Sequence, residues 1–403
     1  MKVGVLTFYH NNDNFGGQLQ ARALVRAINN CTGMEAEQIP YDYLHSWQKL
    51  PYKTRLLKTI QQSFSGGVCE GFNFLFSRAS AQKSINDNAQ LKVSLKDKLE
   101  CRRRAFKRFC DETPHNSIIF DNNTIPQCLN QYDCFVCGGD QIWNDWNNWF
   151  LFNALDNFCL KFAPDSVRKF SYAPSVPLEK IRPLFIKKLA DNLRQLDAVS
   201  VRERSSVPIL EKTIGKKVTV VADPVLLLTQ EEWDKELNPA YMNENYVFCY
   251  LLGESAENRT AAKEFAARIQ CKLVTVPHMI NVNEQDQSFG DIQDYTSGPA
   301  EFLSLIKNAE VVVTDSFHAA VFSMIYHKPF YVLERVTQVS GGSMGSRLTD
   351  FLIEYGLTMQ KIEAGQLKLI RKVPQIDYTE ADKILERRRT ESYEYLRSNL
   401  KRK

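Results

Sequence analysis

The sequence lacks long apolar runs, which argues against a membrane-spanning protein. No window approaches the roughly 20 uninterrupted apolar residues that a membrane-spanning helix needs. The first residues, MKVGVLTFYHNNDN, follow a strand pattern rather than the pattern of a signal peptide. We therefore expect a soluble, cytoplasmic protein.

The sequence also lacks an excess of charge of one sign. It has 51 basic and 47 acidic residues and a net charge of +4, so no overall field indicates a nucleic acid partner. Positive charge is local, in short clusters on predicted helices at residues 102–108, 387–389 and 401–403. Solvated helix faces explain such clusters. The alternative is attraction to an anionic membrane surface, which would bring the protein to the inner face of the cell membrane.

Cysteine is present, but not in a metal-binding arrangement. The ten cysteines are scattered, several of them within apolar strand-like runs, which indicates reduced thiols. Cys134 and Cys137 form a C-x-x-C pair inside YDCFVCGG, and no second pair follows at zinc-finger spacing. We predict buried thiols at both positions and no obligatory metal.

Strand and helix patterns alternate almost throughout the chain, which is typical of α/β architecture with parallel sheets. A chain of 403 residues fills two ordinary globular domains. Residues 46–110 are basic and polar with helical spacing, and they predict a helical insertion. We expect a first domain over residues 1–215 that includes this insertion, a second domain over 216–378 and a charged helix over 379–403.

The most informative stretch is VVVTDSFHAAVFSMIYHKPFYVLE, residues 311–334. Its pattern predicts a strand, a polar turn with Asp315, Ser316 and His318, a helix and a parallel strand. The turn would lie at the amino end of the helix, where unpaired N–H groups favour anions. It therefore indicates a phosphate or carboxylate site. The alternative is that Ser316 or Asp315 caps the helix and that His318 is a core residue.

Two further polar turns follow predicted strands of the first domain. In HNNDNFGGQLQ, two glycines let the backbone approach a ligand, and Asn14 or Gln20 could hydrogen-bond sugar hydroxyls. A plain turn with a helix cap is the alternative. In CGGDQIWND and the residue that follows it, the carboxylate of Asp140, the amide of Gln141 and the indoles of Trp143 and Trp146 suit the wall of a carbohydrate site. The alternative is that both tryptophans are core residues.

Two arginines are candidates for binding an anion. Arg202 ends the strand pattern AVSVRE, where a guanidinium can hold a carboxylate or phosphate in a bidentate manner. An ion pair with its neighbour Glu203 is the alternative. The glycine- and serine-rich segment GGSMGSRL precedes a predicted helix, and it could cradle an anion with Arg347 adding charge.

The ordered series NFGGQLQARAL, CGGDQIWN, SYAPSV, SVRERSS, VADPVLLL and TDSFHAAVFSMIYHKPF resembles the polysaccharide pyruvyl transferase family. The resemblance spans about residues 4–357. It implies a GT-B-like pair of Rossmann-like domains facing a cleft. It also implies transfer of a pyruvyl group from phosphoenolpyruvate to two hydroxyls of a sugar as a ketal. Such enzymes serve the synthesis of capsule, exopolysaccharide or secondary cell-wall polymers.

The chain departs from the family pattern directly before the motif histidine. Many relatives have arginine and leucine there, where this chain has Ser316 and Phe317. This departure gives more weight to other cations as ligands of the donor. We predict that the donor phosphoenolpyruvate is bound, on the side of the second domain, by Arg202, Ser316 and Arg347.

The ketal chemistry assigns the other roles that the resemblance implies. His318 suits proton transfer near neutral pH, and Asp140 is placed to orient or deprotonate the acceptor. Acceptor binding, on the side of the first domain, is assigned to Asn14, Gln20 and Gln141. The acceptor candidates include a lipid-linked oligosaccharide, and no cofactor is expected beyond phosphoenolpyruvate as co-substrate.

Two other functions fit the predicted scaffold. One is a GT-B glycosyltransferase that uses a nucleotide sugar, although the second half of the sequence has no convincing Glu-x7-Glu arrangement for gripping ribose. The other is a non-catalytic glycan-binding protein of the same pathway, which the missing arginine before His318 would suit. Phosphoenolpyruvate binding distinguishes the pyruvyl transferase from both.

Overall fold

The structure is a computed structural model that describes residues 1–43, 53, 95–144, 152–176, 183–238, 244–278, 284–336 and 345–401. Most of the predicted insertion at 46–110 and the segment 341–344 lie outside the described residues. The chain divides into two compact units. The first unit comprises Met1–Ala81, Cys110–Leu228 and Arg388–Lys403, and the second comprises Gln82–Phe109 and Thr229–Arg387.

The strands are short and mostly buried. In chain order they are β1 (Lys2–Leu6), β2 (Glu35–Gln38), β3 (Cys134–Gly138), β4 (Arg168–Tyr172), β5 (Val199–Val201), β6 (Val218–Val220), β7 (Tyr246–Tyr250), β8 (Lys272–Thr275), β9 (Ile292–Gln293), β10 (Val311–Thr314) and β11 (Phe330–Val332).

Helices connect most of these strands. In chain order they are α1 (Phe15–Asn29), α2 (Lys96–Glu112), α3 (Phe152–Phe158), α4 (Pro183–Leu193), α5 (Val207–Ile214), α6 (Pro224–Leu227), α7 (Gln230–Asp234), α8 (Ala256–Arg268), α9 (Pro299–Asn308), α10 (Phe317–Ile325), α11 (Gly345–Glu354), α12 (Ala364–Leu367) and α13 (Thr379–Asn399).

The sheet of the first unit is parallel, in the order β2-β1-β3-β4. The parallel pair of β5 and β6 continues it through a bridge between Phe170 and Ala198. Successive residues of β1 point to opposite faces, so Val5 joins one hydrophobic cluster and Leu6 the other. A sheet covered on both faces is what the near-continuous apolar strands of the sequence predict.

The sheet of the second unit is also parallel, in the order β11-β10-β7-β8-β9. Residues of β7, β8 and β10 pack with α8 and α12 into one hydrophobic cluster. The predicted unit of strand, turn, helix and strand over 311–334 is confirmed, as β10, α10 and β11. Two Rossmann-like units with parallel sheets confirm the predicted α/β class.

The division into units differs from the predicted boundary near residue 215, because β6 pairs with β5 inside the first unit. It also differs for residues 82–109, which belong to the second unit. There the buried guanidinium of Arg102 on α2 donates to the carbonyl oxygens of Pro277, at 2.7 Å, and of Asp294. These bonds fix α2 to the second unit.

The carboxyl-terminal helix also differs from the prediction of a separate charged element. From Arg388 onward it belongs to the first unit. Its apolar residues Tyr395 and Leu396 join the hydrophobic cluster that contains Val5. None of the helices in the described part of the chain is both long enough and apolar enough to cross a membrane.

The predicted burial of the C-x-x-C pair is confirmed. Cys134 and Cys137 lie on β3 with no exposed surface, and both are free thiols. Burial raises the pKa of the Cys134 thiol to about 12. It raises the pKa of Cys137 as well. Neither sulfur is a thiolate near neutral pH, and thiolates are the form in which cysteine binds metals.

Candidate functional site

Each parallel sheet has one point where the strand order reverses. In the second unit this switch point lies between β7 and β10, because the chain runs from β7 outward to β8 on one side and later places β10 on the other. In the first unit it lies between β1 and β3 for the same reason. Ligands of parallel sheets bind beyond the carboxyl ends of the strands at such points.

Asp315 links the two central strands at the switch point of the second unit. Its buried carboxylate accepts hydrogen bonds from the backbone N–H groups of Leu252 and Gly253, both at 2.7 Å. These amides belong to the segment that follows β7, so Asp315 ties the ends of the two central strands together. Asp315 therefore fixes the backbone on which a ligand would rest.

Ser316 and His318 occupy the amino end of α10. Ser316 is the N-cap residue, and its hydroxyl makes no capping hydrogen bond within the described part of the chain. His318 is the second residue of the helix and is only 9% exposed, with its ring edge-on to that of Phe317 at 5.1 Å between centroids. The structure thus brings both predicted residues to one helix terminus, where amide N–H groups and the helix dipole favour an anion.

Arg335, which follows β11, supplies positive charge at this edge. Its Nη2 donates to the backbone oxygen of Asp315 at 2.7 Å and lies 3.6 Å from Oδ1 of the same residue. The side chain is only 8% exposed, and Nε is buried with no hydrogen-bond partner among the described residues. A buried donor of this kind is costly unless a ligand satisfies it.

A small depression opens beside Arg335. It is lined by Asp315, Val332, Leu333, Glu334, Arg335, Leu348, Thr349 and Lys361. Lys361 donates to the hydroxyl of Thr349 at 3.2 Å, so a second cation stands at the wall. The predicted Arg347 is buried on α11, directly before Leu348. The rest of the glycine-rich segment that precedes it lies largely outside the described residues.

Arg259 on α8 holds the segment after β7 from the other side. Its Nη1 donates to the carbonyl oxygens of Gly253, at 2.9 Å, and Ser255, at 3.2 Å. Its Nε and Nη2 bind the Asp286 carboxylate at 2.9 and 2.8 Å. Burial nevertheless raises the pKa of Asp286. The segment is therefore locked through its amides by Asp315 and through its carbonyls by this guanidinium.

His278 follows β8 at the same edge and was not singled out by the sequence. Burial, followed by the positive charges of Arg335 and Arg102, lowers its pKa to about 4. The imidazole is therefore neutral near pH 7. In the sequence, His278 is marked only by its position directly after the predicted strand KLVTVP (272–277).

At the switch point of the first unit, Gln20 packs on Gly139. A Cβ atom added at Gly139 would lie 1.5 Å from Oε1 of Gln20, and that oxygen is buried without a hydrogen-bond partner among the described residues. Asp140 and Gln141 come next, with Asp140 in the left-handed region at φ 42°. The structure thus gathers these three predicted residues at one edge.

The other predictions for this edge have different outcomes. The Asn14 side chain caps α1 by accepting from the amide of Gly17 at 2.9 Å, which is the helix-cap alternative. Trp143 has no exposed surface, and its Nε1 donates to the carbonyl of Phe158 at 3.2 Å, so it is a core residue. Trp146 lies outside the described residues.

Arg202 lies in a buried ion cluster of the first unit. Its guanidinium binds the carboxylate of Asp223 and, through Nε, that of Glu203 at 3.1 Å. Although burial disfavours the charge, Glu203 and Asp223 raise the pKa of Arg202. The structure thus shows the ion pair that the sequence left open, and two protein carboxylates already use this guanidinium.

The fold and these edge residues define an α/β protein of two Rossmann-like units with polar sites at the carboxyl ends of their strands. A family model described as polysaccharide pyruvyl transferase matches residues 14–335, most of the chain. The protein belongs to the polysaccharide pyruvyl transferase family. It is accordingly a transferase of polysaccharide biosynthesis with a sugar or polysaccharide acceptor.

Comparison with solved structures finds proteins of similar length and low identity. UDP-GlcNAc 2-epimerase from Methanocaldococcus jannaschii is 13% identical with a TM-score of 0.49, over 96% of this chain and 99% of that one. A putative UDP-N-acetylglucosamine 2-epimerase from Listeria monocytogenes is 11% identical with a TM-score of 0.49, over 95% and 94%. UGT89C1 from Arabidopsis thaliana is 11% identical with a TM-score of 0.48, over 98% of both chains. No curated protein matches the chain.

Proposed function

We propose that the protein transfers the pyruvyl group of phosphoenolpyruvate to two hydroxyls of a sugar, as a ketal, during synthesis of a capsule or exopolysaccharide precursor. The observation that carries the proposal is the group of hydrogen-bond donors and positive charge at the carboxyl ends of the strands in the second unit. There the amino end of α10, with Ser316 and His318, lies beside Arg335, whose buried Nε has no hydrogen-bond partner among the residues that the structure describes. Phosphoenolpyruvate has a carboxylate and a phosphate, the groups that such an edge attracts.

The donor site comprises Ser316 and Arg335, with Arg347 as a further candidate. Arg335 compensates for the arginine that many relatives have at the position of Ser316. Because one Nη of this guanidinium donates to the Asp315 carbonyl, the side chain is already oriented, and little side-chain entropy is lost when an anion binds. Arg202 is assigned to holding the first unit together rather than to the donor.

The reaction needs balanced proton transfers, and His318 is the candidate acid and base. The methylene carbon of phosphoenolpyruvate gains a proton, one sugar hydroxyl attacks C2, the C2–O bond to phosphate breaks, and the second hydroxyl closes the ketal. The two hydroxyls lose two protons, of which one is balanced by the new methyl group and one by the released phosphate. Histidine transfers protons in both directions near neutral pH.

The acceptor site comprises Gln20, Asp140 and Gln141 in the first unit. The buried Oε1 of Gln20 is a hydrogen-bond acceptor without a partner in the described structure, which suits a sugar hydroxyl. Asp140 would orient that hydroxyl or accept its proton. Asn14 contributes by capping α1 and so fixing the turn in front of Gln20. We place the reaction in the cytoplasm, where phosphoenolpyruvate is made.

Calorimetric titration with phosphoenolpyruvate, and with UDP and GDP in parallel, tests the donor. We expect phosphoenolpyruvate alone to bind. Arg335→Ala should weaken binding about 10-fold to 100-fold, the equivalent of one charge-assisted hydrogen bond. Arg371→Ala, at an exposed arginine of the same unit, is the matched control and should leave the affinity unchanged. Binding of a nucleotide only would make the protein a glycosyltransferase, and binding of none would favour a glycan-binding protein.

His318→Ala tests the acid and base. With a panel of p-nitrophenyl glycosides as acceptors, we expect phosphate release from phosphoenolpyruvate to fall below detection, while the melting temperature and donor binding are retained. His327→Ala, at a half-exposed histidine that pairs with Asp382, is the control and should keep full turnover. Turnover retained in His318→Ala would remove this residue from the mechanism.

A further inference from the structure

We propose that the buried hydroxyl of Ser175 binds one of the two sugar hydroxyls that enter the ketal. The inference rests on the proposed function and deepens its acceptor site, because it assigns a second hydrogen-bonding group beside Asp140 to the sugar. Ser175 follows β4, and β4 pairs with β3. It therefore lies at the same edge of the first sheet as Asp140, which follows β3.

Backbone hydrogen bonds fix Ser175 directly beside Asp140. The N–H of Gly139 donates to the carbonyl of Tyr172 at 2.8 Å, and the N–H of Ser175 donates to the carbonyl of Asp140 at 2.6 Å. The turns after β3 and β4 therefore run side by side. Asp140 and Ala173 both lie in the left-handed region, at φ 42° and 52°. Non-glycine residues rarely adopt this conformation, and such residues cluster at active and binding sites.

The segment that contains Ser175 is also fixed to the buried ion cluster of the first unit. The carbonyl of Pro174 accepts from the backbone N–H of Arg202 at 3.2 Å. The N–H of Val176 donates to Oε2 of Glu203 at 3.3 Å, and Arg202 holds the same carboxylate through Oε1. Both neighbours of Ser175 in the chain are thus held in place. The ion cluster in this way positions Ser175 at the acceptor edge.

Two buried side-chain oxygens at this edge have no hydrogen-bond partner in the described part of the chain. One is Oγ of Ser175, a residue with no exposed surface. The other is Oε1 of Gln20, which lies against Gly139. Nearly all buried polar atoms are hydrogen-bonded, so two such oxygens beside neighbouring residues of one turn indicate a polar ligand. Asp140 in this turn is only half-buried, and the edge is open to solvent there.

The chemistry of the two oxygens selects a sugar over the anionic donor. The amide oxygen of Gln20 can only accept, while the nitrogen of the same amide donates to the carbonyl of Gly17 at 3.0 Å. The hydroxyl of Ser175 can both donate and accept. Sugar hydroxyls pair with either group, whereas an ionised carboxylate offers Gln20 no donor. A sugar hydroxyl bonded to Ser175 lies next to Asp140, the group proposed to orient or deprotonate the acceptor.

Steady-state kinetics of Ser175→Ala test this contact. With the p-nitrophenyl glycoside that gives the fastest phosphate release, we expect the KM for the glycoside to rise about 3-fold to 10-fold, the loss of one neutral hydrogen bond. The kcat and the affinity for phosphoenolpyruvate should stay within a factor of about two. The melting temperature should not fall, because the removed hydroxyl bonds no group in the described structure.

Ser171→Ala, on β4, is the matched control. Ser171 also has no exposed surface, but its hydroxyl donates to the carbonyl of Ser200 at 3.0 Å and accepts from the N–H of Ser200 at 2.8 Å. Its removal should lower the melting temperature by about 2 to 4 °C and leave the KM for the glycoside unchanged. The two buried serines are thus expected to show opposite effects on stability and on acceptor binding.

Monodeoxy analogues of the same glycoside identify the hydroxyl that Ser175 binds. Each analogue is measured as a competitive inhibitor against the parent glycoside. Ser175→Ala should raise the inhibition constant about 3-fold to 10-fold for every analogue that retains the bonded hydroxyl. It should leave the inhibition constant unchanged for the analogue that lacks it, because that analogue has no contact left to lose.

The outcomes separate the inference from the proposed function. An unchanged KM in Ser175→Ala, with phosphoenolpyruvate binding and turnover intact, would overturn the inference alone. A fall in melting temperature as large as that of Ser171→Ala would also overturn it, since the hydroxyl would then be structural. Inhibition constants that rise equally for all analogues would do the same. Neither binding of phosphoenolpyruvate nor turnover with any glycoside of the panel would overturn the proposed function together with the inference.

Discussion

Arg202→Ala is the substitution that separates a structural role from a donor-binding role. The change leaves the carboxylates of Asp223 and Glu203, which are 1% and 5% exposed, without their shared cation. Removing one partner of a buried ion pair costs about 3 to 5 kcal/mol, because the remaining charge is buried and uncompensated. We expect a loss of this size in the free energy of unfolding, measured by urea denaturation with circular dichroism.

Arg202→Lys should lose less, since it keeps the charge but cannot bond two carboxylates with one planar group. Arg204→Ala removes an exposed neighbouring arginine and should change stability by less than about 0.5 kcal/mol. Phosphoenolpyruvate affinity should be unchanged within a factor of about two in Arg202→Lys, which keeps the fold. A loss of stability below about 1 kcal/mol in Arg202→Ala would refute the buried-cluster reasoning. A tenfold loss of donor affinity in Arg202→Lys at wild-type stability would return Arg202 to the donor site.

Two further predictions concern a close contact and a pH dependence. Gly139→Ala should cost about 1 to 3 kcal/mol more than Gly33→Ala in urea denaturation, because both positions have positive φ (68° and 78°) but only the first places Cβ against Gln20. Equal costs would mean that the Gln20 amide is not held on this glycine. Because the folded pKa of His278, about 4, lies below the unfolded value of 6.5, the unfolded state binds more protons between these pH values. Stability should therefore fall by up to about 3 kcal/mol as the pH drops through this window. His278→Asn should remove this contribution and His327→Asn should keep it, and identical acid profiles would contradict the prediction.

The sequence predicted the elements of both edges because their signals are local. Alternating strand and helix patterns indicated two parallel sheets, and the strand that ends at Thr314 was followed by a turn and helix as predicted. The rule that polar residues after parallel strands gather at one edge placed Ser316 with His318 and Gln20 near Asp140. These inferences need only the period of the apolar residues and the direction of the strands.

Partners that are distant in the chain could not be predicted in the same way. Arg202 and Arg335 both follow buried strands, and nothing local distinguishes them. The difference arises in three dimensions, where Asp223 and Glu203 bond the first guanidinium and backbone amides occupy the oxygens of Asp315 beside the second. The assignment of residues 82–109 to the second unit depends likewise on the long-range bonds of Arg102.

Under the proposed function, the hydrogen bonds that the carboxylates already make distinguish Arg335 from Arg202 as a ligand of the donor. The Asp315 carboxylate accepts hydrogen bonds from two backbone amides. Nη2 of Arg335 donates to the backbone oxygen of Asp315 and lies 3.6 Å from Oδ1 of its carboxylate. The buried Nε of Arg335 has no hydrogen-bond partner among the described residues. Many relatives have an arginine at the position of Ser316. Moving the cation from the helix to the end of the neighbouring strand β11 keeps positive charge at the same edge and leaves room for a hydroxyl at the amino end of α10. Under the proposed function, the departure in the motif is therefore a relocation of positive charge along this edge.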